Sequence, residues 1–201
     1  MNSPTAPVYT IGHSNHPVEK LLDLLRAHRV TAVADVRSSP FSRYNPQFDR
    51  ENLQVTLREA GIHYVFLGRE LGARSEDPDC YEGGRVVYGR LARTALFQQG
   101  LDWIRQGMAR HRVSLLCAEK DPLTCHRTIL VSREFVRDGI PVCHILEDGS
   151  VESHDKALER LLRQFGLHEE DLFQSYEERI DEAYRLQEER IAYVSAEMAE
   201  S

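Results

Sequence analysis

Short apolar runs alternate with longer amphipathic stretches along this chain. Residues 8–11, 31–37, 63–67, 113–119 and 141–146 are compact and apolar enough to read as buried strands. Between them, apolar residues recur at helical spacing. Pro17 opens one such stretch, with Leu21, Leu22, Leu24, Leu25 and Val30. Asp49 is placed to cap a second, running to Gly61 with Leu53, Leu57 and Ala60 inside. A third spans residues 90–111, and a fourth runs from near Cys125 to Gly139. Glu147-Asp148-Gly149 reads as a hairpin turn into residues 150–153. Strands alternating with helices predict an α/β fold: an open, mainly parallel sheet of about five strands with helices on both faces.

Two stretches break this rhythm. Residues 68–89 hold five Gly and one Pro; they predict a long loop, of the kind that closes over a site. From Asp155 to Ser201 the pattern is helical, with Phe173, Tyr176, Ile180, Ala183, Tyr184, Ile191 and Val194 at threes and fours. That stripe is too short for a coiled coil, so docking on the body is favoured over assembly of a homo-oligomer. The expected division is an α/β domain at 1–153 and an acidic helical extension at 154–201.

Charge sharpens the division. The net charge is −7. From Glu152 onward there are 14 acids and 6 bases; the residues before it carry 18 acids and 19 bases. A body so nearly neutral has no strong field for drawing in an anionic membrane or nucleic acid, so a nucleic-acid substrate stays open but is not indicated by charge. No apolar run approaches the ~20 residues of a membrane span. Met1-Asn2-Ser3-Pro4 lacks a basic region followed by an apolar stretch, so a cytoplasmic location is expected. Four cysteines in 201 residues are no disulfide framework. In a reducing compartment a cysteine cluster points to catalysis or metal binding.

The candidate chemistry gathers where the predicted strands end. His13 and Ser14 follow the first, Asp35 and Arg37 close the second, and Glu119 closes the fourth. Cys125-His126-Arg127 opens the next helix. Open parallel sheets bind ligands along that edge. Asp35 and Arg37 share a face and also suit a simple ion pair. A thiol beside a helix N-terminus, His126 and Arg127 should lose its proton easily, making Cys125 a candidate nucleophile. Glu119 and His126 suit proton transfer. A metal held by Cys117, Cys125 and His13 or His126 is the alternative, though the spacing matches no compact zinc motif. No dinucleotide or Walker fingerprint is present, and no cofactor is predicted.

Taken in order, these residues resemble a known family. They are Thr10-Ile11-Gly12-His13-Ser14; Asp35-Val36-Arg37 with Pro40 and Ser42-Arg43; Tyr64 before Glu70-Leu71-Gly72; Leu116-Cys117-Ala118-Glu119; Cys125-His126-Arg127; and His144-Ile145. The ordered set is similar to the domain-of-unknown-function 488 family of bacteria and archaea, over about residues 7–150. Gly72-Ala73 departs from the Gly-Gly frequent there. The resemblance implies that these polar residues form one site and names no reaction. The expectation is a hydrolase or transferase for a small anionic or nucleotide-like ligand, with cleavage of an N-glycosidic bond as one variant. Cys125, Glu119, His126, Asp35 and His13 would act on it, and Arg37, Arg43, Arg127, Ser14, Ser42 and Tyr64 would bind it. The rivals are a metal or thiol-redox module and a ligand-sensing partner protein.

Overall fold

The computed structural model describes residues 6–168 and 173–199. In chain order the strands are β1 (Val8–Gly12), β2 (Ala32–Asp35), β3 (His63–Phe66), β4 (Tyr81–Glu82), β5 (Arg85–Val86), β6 (Val113–Cys117), β7 (Val142–Ile145) and β8 (Val151–Ser153). The helices are α1 (Val18–Ala27), α2 (Arg50–Glu59), α3 (Gly68–Leu71), α4 (Tyr88–Leu91), α5 (Ala95–Met108), α6 (Arg133–Arg137), α7 (His154–Gln164) and α8 (Tyr176–Ile191). Six strands make one sheet in the order β3-β2-β6-β1-β7-β8. The first five are parallel, and β8 returns antiparallel on β7 through the hairpin expected at Gly149. The fold is the expected α/β one.

Alternation along the strands splits the core in two. Tyr9, Ile11, Val33, Leu116 and Ile145 face one way and pack with Leu21, Leu25, Leu53 and Leu57 of α1 and α2. Val8, Ala34, Leu115 and Val142 face the other way, under Leu101 of α5, Phe135 of α6, Leu161 of α7 and Tyr184 of α8. Each face is apolar because the helices cover it from water. The extension is therefore built on the second face of the sheet. Of its predicted stripe, Ala183 and Tyr184 are buried, while Phe173, Tyr176 and Val194 stand exposed.

Several local expectations are corrected. Residues 68–89 are not a loop: they carry α3, the small β4–β5 hairpin and the start of α4, pinned by buried Leu71, Tyr81, Val86 and Tyr88. Gly83 and Gly84 sit at positive φ in that hairpin, which explains two of the five glycines. The single helix expected over 90–111 is two, because Thr94 stops α4 and caps α5 by accepting from the Phe97 N–H. Asp49 stands at the N-cap of α2 without capping it; its carboxylate takes the Ser42 N–H instead.

Candidate functional site

The parallel strands all end at one edge of the sheet, and there β1 and β6 stay paired past their last ladder residues. His13 N–H donates to the Cys117 carbonyl (3.0 Å) and Ser14 N–H to the Ala118 carbonyl (2.9 Å). Gly12 makes this approach possible: a Cβ there would lie 1.8 Å from the Glu119 carbonyl oxygen. Beyond Glu119 the chain turns. Asp121 caps the turn through the Leu123 N–H, and buried Leu123 anchors it. Cys125 then enters an α-helix whose first part, Arg127–Ser132, is wound as a π-helix. Its Sγ accepts from the Arg127 N–H at 3.4 Å. The Ser132 hydroxyl donates to the Arg127 carbonyl at 2.6 Å, across the same winding. Such π segments recur at functional sites.

This path brings Cys117, Cys125 and His126 together. Their sulfur and nitrogen atoms all lie within 4.8 Å of one another, and all three residues are buried. His126 Nδ1 is 3.7 Å from the Cys117 sulfur and 3.8 Å from that of Cys125. Its Nε2–H donates to the Val36 carbonyl at 3.0 Å, which fixes the ring and turns Nδ1 toward the sulfurs. Burial pushes both thiols up. At Cys125 the hydrogen bond from Cys117 and the charges of Arg127 and His126 outweigh it and hold the thiol well below its ordinary range. Cys117, buried beside that negative sulfur, is pushed well up. Burial lowers His126, but the Cys125 charge wins and raises it. Glu119 keeps solvent exposure, yet its crowded carboxyl, facing first desolvation and then the Cys125 charge, is also raised. All four cysteines are free; Cys80 is buried in the hairpin region and Cys143 is half-buried in β7.

Above the cluster lies a cavity of about 240 Å³. Cys117, Glu119, Cys125 and His126 line its floor, and Arg37, Ser38, Arg74 and Tyr88 its sides. Ile191 and Tyr193, from the extension, add to its wall. The Tyr88 hydroxyl is buried and has no hydrogen-bond partner among the described residues, an arrangement that costs free energy unless a partner is supplied. Arg74 stacks on the Tyr193 ring, 4.4 Å from its centroid, and makes no ion pair among the described residues.

The other expected residues do not join this floor. Asp35 and Arg37 belong to the opposite face of the sheet, where they pair at 2.6 and 2.8 Å. The Tyr64 hydroxyl donates to the same Asp35 carboxylate at 2.8 Å. Arg37 also donates to His13 Nε2, whose Nδ1–H is given to the Ser14 carbonyl. With both ring nitrogens engaged, His13 is no ligand of the sulfur cluster. Burial, with Arg37 against it, lowers its pKa to about 4. Arg37 nevertheless lines the cavity as well. Arg127 is fully buried behind it and donates to the carbonyls of Glu119 and Lys120, at 2.7 and 3.3 Å. Arg43 is exposed, and Ser42 accepts the Asn45 N–H in the same loop. Arg74, Tyr88 and Tyr193 escaped the sequence reading; the first two lie in the stretch taken as a loop, and the third in the extension.

A parallel α/β sheet with thiols, an imidazole and a carboxyl around a cavity at its strand ends defines a protein with a candidate site at the sheet edge. The chain belongs to the family described as domain of unknown function DUF488, whose model matches residues 17–133. No curated protein and no solved structure matches it. The matched span holds every residue of the sulfur cluster and stops before the extension that helps to line the cavity. No helix among the described residues is long and apolar enough to cross a membrane.

Proposed function

We propose that the protein is an enzyme, a hydrolase or transferase, that acts on a small anionic substrate in this cavity. One observation carries the reading. Cys117, Glu119, Cys125 and His126 converge beneath a cavity also lined by Arg74 and Tyr88; among the described residues the Arg74 guanidinium makes no ion pair and the buried Tyr88 hydroxyl has no partner. Perturbed groups gathered in a cleft are the usual mark of a reactive site. Arg74 binds the anion, since Arg37 is committed to Asp35 and His13. Tyr88 donates to the substrate. Glu119 carries the proton that group transfer requires, and the sulfurs supply the electron-rich centre. At about 240 Å³ the space is below the ~300 Å³ of common ligand pockets. It therefore suits one phosphate, or a single ring, rather than a whole dinucleotide. The extension acts within its own chain here, as a wall of the cavity.

The test is Glu119→Gln, assayed on phosphorylated small molecules and nucleosides. Turnover should fall at least ~100-fold while substrate still binds. Unchanged turnover would sink the proposal. Binding without turnover in every variant, wild type included, would leave a ligand-sensing protein instead.

A further inference from the structure

We infer that Cys117, Cys125 and His126 bind one zinc ion whose fourth position opens into the cavity. The donor atoms argue for it first. A tetrahedral zinc with Zn–S near ~2.3 Å and Zn–N near ~2.0–2.1 Å places sulfur and nitrogen about 3.6 Å apart. His126 Nδ1 lies 3.7 and 3.8 Å from the two sulfurs. A neutral imidazole has one ring nitrogen with a free lone pair. Its Nε2–H is committed to Val36, so Nδ1 is the nitrogen that faces the sulfurs, nearly equidistant from both. An ion at the centre of the three donor atoms takes all of them as ligands. Two sulfurs and one imidazole are a donor set for zinc, with three protein ligands and one open position as in catalytic sites.

The surroundings fit as well. The bond from Nε2–H to a backbone carbonyl is the support that metal-bound histidines normally have. The Arg127 N–H points at the Cys125 sulfur, and its guanidinium fastens the 119–120 carbonyls. The loop joining the two cysteines is thus held before any ion arrives. Glu119 stands beside the sulfurs, outside the three-residue group.

The consequence for chemistry rests on the catalytic reading of the cavity; zinc binding itself does not. In that reading a zinc-bound water gives its proton to Glu119. The remaining hydroxide bonds to the electrophilic carbon or phosphorus of the substrate. The bond to the leaving group breaks with its electron pair, and Glu119 returns the proton to that group. Cys125 is then a ligand rather than a nucleophile.

The experiment is metal analysis of full-length protein made without a histidine tag or chelator. About one zinc per chain is expected. Cys117→Ser, Cys125→Ser and His126→Gln should each lose most of it. Because those variants can fail to fold, the wild type supplies a second measurement. Its Cys117 and Cys125 should resist alkylation until a chelator is added, and cobalt(II) substitution should give sulfur-to-cobalt charge-transfer absorption. Less than about one tenth of a zinc per chain after incubation with excess zinc, with both thiols labelled freely, overturns the inference. So does iron or copper in its place. The two proposals fail separately. Full zinc with turnover indifferent to Glu119→Gln removes the catalytic reading alone. Turnover that needs Glu119 in metal-free protein removes the zinc alone.

Discussion

Two polar clusters sit at the same edge of the sheet, on opposite faces, and they are built by opposite rules. On the α1–α2 face, Asp35, Arg37, Tyr64 and His13 satisfy one another. The carboxylate takes two guanidinium bonds and a phenol; the imidazole takes a third guanidinium bond and gives its own proton away. Phe48 stacks on the His13 ring at 4.2 Å and seals it. On the other face, two sulfurs lie almost equally far from one nitrogen, a carboxyl is crowded by negative charge, and a tyrosine hydroxyl has no partner among the described residues. The first arrangement is a finished structural network. The second carries a deficit that a ligand or ion can fill. Residue type does not separate them, since each has a histidine and a carboxyl. Unfilled bonding capacity facing a cavity does.

The sharpest way to break this contrast is the same chemical change made on each face. Asp35→Asn removes the charge that matches buried Arg37. Breaking such a pair typically costs about 3–5 kcal/mol, so denaturant unfolding should show a loss of that size. Glu119→Gln, at an exposed carboxyl, should move stability by less than about 1 kcal/mol while abolishing most turnover. A stable Asp35→Asn protein, or an unstable Glu119→Gln one, would erase the distinction between the faces.

A second satisfied network gives an effect of intermediate size. Thr10, His144, His154 and Tyr184 form a buried chain of hydrogen bonds at 2.8, 3.2 and 2.6 Å, joining β1 and β7 to α7 and α8. Burial lowers His154 to about 4, with Asp155 acting weakly against it. Burial, then His154 and more distant Arg127 and Arg160, lowers His144 further. A base whose folded pKa is depressed stabilises the fold above its unfolded value, and that stability is lost as pH falls. Between pH 6.5 and about 4, His154 should therefore cost up to ~3 kcal/mol. Unfolding measured across that range should have a shallower pH slope in His154→Gln. An identical slope would show that the chain of bonds does not hold these imidazoles neutral.

The sequence made the frame legible because buried strands are apolar runs, and strand-end polar residues are conspicuous against them. It did not reveal two sites where one was expected. Asp35 and Cys117 both close strands, and only the pairing of β2 with β6 shows that they point to different sides. Residues 68–89 misled for a related reason. Their glycines advertise turns, while single anchors such as Leu71 and Tyr88 leave no periodic trace. The break at Thr94 and the π-winding after His126 are likewise tertiary outcomes without a pattern of their own. The contribution of Tyr193 to the cavity depends on α8 crossing the sheet, a contact made between residues more than a hundred positions apart.

The smallest expected effect concerns that last contact. Arg74 is exposed, and the Tyr193 ring is what orients it at the cavity wall. A stack of this kind is worth about 0.5–1 kcal/mol at an exposed site, so Tyr193→Ala should weaken anion binding only ~2–5-fold. The loss should appear in KM, with kcat preserved, because the ring stacks on the anion-binding Arg74. Tyr193→Phe keeps the stack and should restore binding. If Tyr193→Ala instead lowers kcat at unchanged KM, the extension governs the reacting atoms rather than the wall, and the functional face reaches further along the chain than the family match does.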